Sequence, residues 1–257
     1  MTLVWRPGFQ FDTDASTYIE AVEAADTQAL ETGVRYAIND FVIGCKQDGI
    51  WSAIKASCIL AGARTLAGAL TPLVGTAPTN FNFVSGDYNR KTGLVGNAST
   101  KYLNTNRNNN ADPQNNNHNA IYASLIPNIA DTRALLGAGF TDAGRNGIIS
   151  SSANLSTANR GISRSASSAT LSGFVGHSRF PSAPAEYVSR ITGSNAVVSG
   201  SSETTYSGNI FVFARSGGVP SYSSARLAFY SIGESLDLAK LDTRVTALIT
   251  AIGAAIP

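Results

Sequence analysis

The 257-residue chain has few charges, two cysteines, two histidines and no long apolar run. Acidic and basic residues make up 14% of it, about half the usual ~25% share. The formal net charge of +2 excludes a strongly basic nucleic-acid binder and a strongly acidic protein. No apolar stretch approaches the ~18–20 residues of a membrane span, so no membrane insertion is expected. The opening Met-Thr-Leu-Val-Trp-Arg-Pro-Gly has no basic stretch leading into an apolar core, so no secretory signal is expected. Two cysteines cannot build a disulfide scaffold, and they do not supply the clustered donors of a zinc site. Neither the Gly-x-Ser-x-Gly turn of a serine hydrolase nor the phosphate-cradling Gly-x-x-x-x-Gly-Lys occurs.

In place of charge stand 24 Gly, 29 Ser and 20 Asn, small residues that favour turns and short strands over long helices. The charges that remain are unevenly spread. Residues 1–60 hold eight acids against four bases, whereas 143–230 hold seven arginines against Glu186 and Glu203. That asymmetry points to segments with different tasks.

The first segment, 1–65, reads as helical. Asp12, Thr13 or Asp14 can cap a helix on which Tyr18, Val22 and Ala25 recur at helical spacing. Asp26 or Thr27 can cap a second, with Leu30, Val34, Ile38, Phe41 and Cys45 on its apolar face. After the turn Gln47-Asp48-Gly49, the residues Ile50, Trp51, Ile54 and Cys58 predict a third. On that register Cys45 and Cys58 are offset by roughly 13 Å along a helical hairpin. A disulfide needs alpha carbons within about 7 Å, so both thiols are expected free, buried and without redox role. From about Leu66 to 234, Gly and Pro punctuate short apolar runs at strand-and-turn spacing. The strands expected are Lys101–Leu103, Ala120–Leu125, Gly147–Ser151, Leu171–Gly176, Ala185–Ile191, Asn209–Ala214 and Arg226–Ile232. They predict an α+β chain built on a two-sheet antiparallel β-sandwich or jelly roll, with helices confined to the two ends. Over 235–257, Leu238, Leu241, Val245, Leu248 and Ile252 form an amphipathic helix, capped by Ser235 or Asp237 and packing beside the N-terminal helices.

For a nucleophilic triad the only bases are His118, in an Asn-rich loop, and His177, and neither is marked out as catalytic. Glycoside hydrolysis needs two carboxylates, and Asp87, Asp112, Asp131, Asp142, Glu186 and Glu203 offer no distinguished pair. No cofactor is expected; Asp87 or Asp112 with neighbouring Asn is the one place where oxygen ligands could gather for calcium. The conspicuous segment is Asn104–Asn119, in which nine of sixteen residues are Asn. Asn tolerates left-handed backbone and bonds its own main chain, which makes a long surface loop the simplest reading. Its amide also pairs a donor with an acceptor, as sugar hydroxyls require. The candidate glycan contacts are therefore Arg107, Asn108, Asn109, Asn110, Asn116 and His118. The arginine excess reads as solvated surface, as contact with an acidic glycan, or as contact with an acidic face of another subunit.

The run from Ala21 to Tyr102, with INDFVIGCKQDGIWSAIKASCILAGARTL and PTNFNFVSGDYNRKTGLVG, resembles a helical lead-in of tailed-bacteriophage structural proteins. NASTKYLNTNRNNNADPQNNNH, AIYAS, SGNIFVFAR and ARLAFYSIGESLDLAKLDTRV resemble the laminin-G-like (concanavalin-A-like) domain of those proteins; together these blocks cover about half the chain. The resemblance implies a non-enzymatic virion protein, a tail, fibre or capsid-surface component assembled in the host cytoplasm. Its expected partners are further copies of itself, as a homo-oligomer such as a trimer joined near the N-terminal helices, other virion proteins, and host cell-surface polysaccharide. A decoration or cement protein without host ligand, and a polysaccharide depolymerase, are the alternatives. No metal and no binding residue carries over from the resemblance.

Overall fold

A computed structural model describes residues 10–127, 131–140, 143–151, 154–167, 172–218 and 221–257. Asp142, one of the candidate acids, and Leu171, the first residue of an expected strand, lie outside the described residues. Helix α1 (Thr13–Asp26) starts where the Asp12 carboxylate accepts the Asp14 N–H, as its capping position requires. Helix α2 (Thr32–Gln47) is not capped by Asp26 or Thr27, which end α1 instead. The Asp26 carboxylate accepts from Arg64 N, Thr65 N and the Thr65 hydroxyl, and so fixes the entry to a single helical turn further on.

The third helix does not form. Trp51–Ala53 make one 3-10 turn, and Ile54–Ile59 are strand β1. A short apolar run of this length is ambiguous between helix and strand. Here it pairs antiparallel with the last strand and is covered on both faces, Ile54 and Ile59 toward the helices and Ala56 and Cys58 toward the sandwich. Both thiols are nevertheless free and buried, Cys58 on a strand with Sγ 3.3 Å from the Tyr230 hydroxyl.

After the turn α3 (Leu66–Ala69) come β2 (Thr79–Phe81), β3 (Tyr88–Asn89), β4 (Gly93–Val95), β5 (Tyr102–Asn108) and β6 (Asn117–Leu125). Then follow β7 (Arg133–Ala138), β8 (Asn146–Ser151), β9 (Asn154–Asn159), β10 (Ile162–Ser167) and β11 (Gly173–Arg179). The last strands are β12 (Glu186–Ile191), β13 (Ser194–Ser199), β14 (Asn209–Val212) and β15 (Arg226–Gly233), before helix α4 (Leu238–Ala255). One sheet runs β13-β12-β11-β6-β15-β4-β3 with β1 also on β15, and the other runs β10-β9-β8-β7-β14-β5-β2. The paired strands are antiparallel, so the chain is an antiparallel β-sandwich with helices near its two ends. No helix among the described residues is long and apolar enough to cross a membrane.

The near-continuous apolar run of β15 reflects burial on both faces. Leu227, Tyr230 and Ile232 face the core between the sheets, while Ala228 and Phe229 face the helices. Asp237 caps α4 by accepting from Ala239 N and Lys240 N. Its stripe Leu238, Leu241, Val245, Leu248 and Ile252 is buried with Val34, Ile38 and Phe41 of α2 against the outer face of the first sheet. Helices α1, α2 and α4 therefore lie on the side of the first sheet.

Candidate functional site

The Asn-rich segment is mostly strand, turn and buried scaffold rather than a free loop. Leu103 and Thr105 of β5 point into the sandwich, and Asn106 takes a left-handed φ of 58°, which Asn tolerates. Asn109 is buried: its amide donates to Gly144 O and Tyr206 O and accepts from Asn146. Asn116 accepts the Ser235 N–H and hydroxyl, tying the segment to the approach of α4. His118 lies on β6, fully buried, not in a loop. Its Nδ1–H donates to Glu234 O while Nε2 accepts from the Ser231 hydroxyl, and burial pushes its pKa down to about 4. Asn109 and His118 are thus withdrawn from any incoming ligand because the scaffold uses their polar atoms.

Arg107, Asn108 and Asn110 stay at the surface. Asn108 closes an Asx turn by accepting Asn110 N, and Arg107 forks onto Asp112 at 2.9 and 2.5 Å. Arg107 and Asn108 line a polar recess of about 180 Å³ together with Lys55, Thr76 and Asn106. Asp112 and Asp87, the oxygen donors considered for calcium, are held instead by Arg107 and Lys101. Among the described residues no three His, Cys, Asp or Glu side chains gather as a metal site.

At the other end of β5, on the second sheet's outer face, aromatic rings from neighbouring strands meet. Phe81 stacks on Tyr102 with centroids 4.4 Å apart and planes 4° from parallel. Phe211 follows at 4.7 Å from Tyr102, and Tyr222 at 6.1 Å. The register explains the ladder: Phe81 opposes Tyr102, and Asn104 opposes both Thr79 and Phe211. Phe81 is 36% exposed and the other three rings are half-buried. Desolvation, with Tyr222 adding to it, raises the Tyr102 phenol above its ordinary pKa. This shelf went unseen in the sequence because β2, β5 and β14 each supply a single ring that their pairing brings together, and Tyr222 joins from the segment before β15.

The arginine excess is largely internal. Arg179 and Arg160 are 0% and 1% exposed and donate mainly to backbone carbonyls. Desolvation pulls the pKa of Arg160 down to about 10. Arg190 pairs with Asp242 of α4, and Arg226 donates to Gly93 O. These four belong to the protein's own scaffold, not to a free cationic surface.

No protein-family model and no curated protein matches the sequence. Similar solved structures exist. A mutant of Trypanosoma rangeli sialidase displaying trans-sialidase activity is 11% identical, with TM-score 0.50, covering 85% of this chain and 39% of that one. The botulinum neurotoxin serotype D binding domain is 9% identical, with TM-score 0.48, covering 76% of this chain and 50% of that one. The chain thus spans half or less of the length of these structures. At 11% identity the likeness to the sialidase is one of fold, a two-sheet sandwich.

Proposed function

We propose that this chain is a non-enzymatic carbohydrate-binding sandwich that reads surface glycan through the open face of its second sheet. The observation that carries the reading is the aromatic shelf of Phe81, Tyr102 and Phe211. The stacked rings cover one another's faces, so Phe81, 36% exposed on the edge strand, is the ring left to pack on the C–H groups of a pyranose, and nearby amides supply paired donors and acceptors for hydroxyls. Asn104 and the recess holding Arg107 and Asn108 lie farther along the same strand, so an oligosaccharide could follow β5. Engagement of Asp87 by Lys101 and of Asp112 by Arg107 supports binding over hydrolysis, which needs a carboxylate pair free to act on the glycosidic bond.

The site is shallow, so useful affinity comes from several copies acting together. A homo-oligomer such as a trimer would supply them. The resemblance of its sequence blocks supports a role on a phage particle, as a tail, fibre or capsid-surface component attaching to host polysaccharide. Immobilised bacterial surface polysaccharides test this reading: retention without release of fragments is expected, and it should be lost in the Phe81→Ala/Tyr102→Ala double variant. Fragment release would make the protein a depolymerase. Absence of retention across such a panel would leave only a subunit-contact role.

A further inference from the structure

The 180 Å³ recess beside Arg107 lies between β1 of the first sheet and the end of β5 in the second. Lys55 and Ala56 come from β1, and Gly75 and Thr76 follow Val74, whose backbone bridges Ser57 of the same strand. Gly75 takes a left-handed φ of 85°, and a Cβ there would strike the Lys55 carbonyl. Only a bare backbone therefore brings Thr76 this close to β1. The opposite wall is Thr105–Asn108, bent at the left-handed Asn106.

What these walls have left to offer a ligand is mainly donors. The Thr105 hydroxyl and the Asn106 amide are spent on Ile210 O and Ala77 O. Arg107 uses Nε and Nη2 on Asp112 and keeps Nη1 in hand. The Asn108 side-chain carbonyl accepts Asn110 N, which leaves its amide N–H groups. Lys55 is held by Glu234 at 3.3 Å, with the two side chains 34% and 43% exposed, a contact loose enough to exchange. Both carboxylates stand behind their cations, since neither Asp112 nor Glu234 lines the recess. Donors without matching acceptors, on the cationic side of two ion pairs, suit an oxyanion better than a neutral hydroxyl, which asks for both.

We propose that this inter-sheet recess is an oxyanion subsite, in which Lys55, Arg107 and Asn108 receive a carboxylate or phosphate substituent of an acidic saccharide held on the aromatic shelf. This rests on the glycan reading above. Lys55 turns from Glu234 to the ligand, while Arg107 stays anchored on Asp112 and adds Nη1. Tyr102 and Asn108 are the two ends of β5, roughly 20 Å apart at 3.3 Å per residue, so an oligosaccharide of that length engages both places.

The first measurement follows the Lys55 Hε and Arg107 Hδ resonances of the wild-type protein during titration with sodium acetate, sodium phosphate and glucose at constant ionic strength. Both should shift to saturation with the two anions and stay still with glucose, while the exposed Lys91 shows no saturation. The second compares a polyuronate oligosaccharide with its carboxyl-reduced counterpart, and a polyol-phosphate oligomer with its phosphate-free counterpart, on wild type, Lys55→Gln and Lys55→Arg. The acidic oligomer that binds identifies the anion as carboxylate or phosphate. Its affinity should fall roughly five- to tenfold in Lys55→Gln, recover in Lys55→Arg, and the neutral counterpart should not respond. Lys55 shifts no different from those of Lys91, equal affinity in Lys55→Gln, or neutral oligomers bound as tightly as acidic ones overturn the subsite. Saturable anion shifts with no oligosaccharide bound uphold the oxyanion recess and overturn the glycan reading instead. The wild-type titration needs no variant to fold.

Discussion

Replacing Arg179 with Met tests how much of the sandwich depends on a buried guanidinium that has no carboxylate partner among the described residues. Arg179 makes five hydrogen bonds: Nε to Asn159 Oδ1 at 3.1 Å, Nη1 to Pro184 O, Glu186 O and Gly200 O at 2.6, 3.1 and 3.2 Å, and Nη2 to Asn159 O at 3.0 Å. It thereby joins β9 of one sheet to β11 and the approach to β12 of the other. Hydrogen bonds from a charged donor contribute about 1.5–3 kcal/mol each, a gross sum of roughly 7–15 kcal/mol if additive. Met recovers several kcal/mol by removing a desolvated charge, but leaves buried carbonyls without their donor. The net loss should be about 3–5 kcal/mol, a fall in Tm of roughly 10 °C for a chain of this size. Urea unfolding measures it, with the slope unchanged and the midpoint lowered. Arg179→Lys keeps the charge but not the fork and should fall between wild type and Met. A loss under about 1 kcal/mol for Met would refute the reasoning, since the guanidinium would then be neither sealed nor relied upon.

Three more outcomes are expected. Burial pushes the pKa of His118 down to about 4 and that of His177 down to about 3, both below the ~6.5 of an exposed imidazole. The unfolded chain therefore takes up protons first as pH falls: stability is full above about pH 7 and declines from pH 6.5 toward 3, visible as a dropping Tm. Burial raises Cys45 and Cys58 to about 12, so neither thiol should react with a thiol reagent in the native protein and both should react after denaturation. Tyr102→Ala removes a half-buried surface ring and should cost about 1–2 kcal/mol of stability, while a chromatographic assay on bound polysaccharide shows retention lost.

Legibility in the sequence followed the degree to which an element states its own environment. The α4 stripe and its Asp237 cap were readable because helical spacing repeats over four turns beside a capping carboxylate. The run Arg226–Ile232 was readable as a strand because its length and apolarity suit burial on both faces. The segment Ile54–Ile59 was misread as helix because it follows two real helices and its partner, β15, lies far along the chain. Asn104–Asn119 was misread as loop because asparagine content hid the alternation of Tyr102, Leu103, Asn104 and Thr105. The candidates split accordingly: Arg107 and Asn108 line a recess, whereas Asn109 and His118 are spent on the scaffold. Composition registers how many arginines there are, not that Arg160 and Arg179 are sealed inside.

The central claim is that ligand is read on the open face of the second sheet. Aromatic carbon–proton NMR spectra of the protein, recorded with and without an oligosaccharide prepared from a retained polysaccharide, test it most directly. The account predicts shifts concentrated on Phe81, Tyr102, Phe211 and Tyr222, with Phe41 and Phe229 beneath the helices unmoved. Shifts confined to rings on the helical side, with the shelf silent, would contradict it.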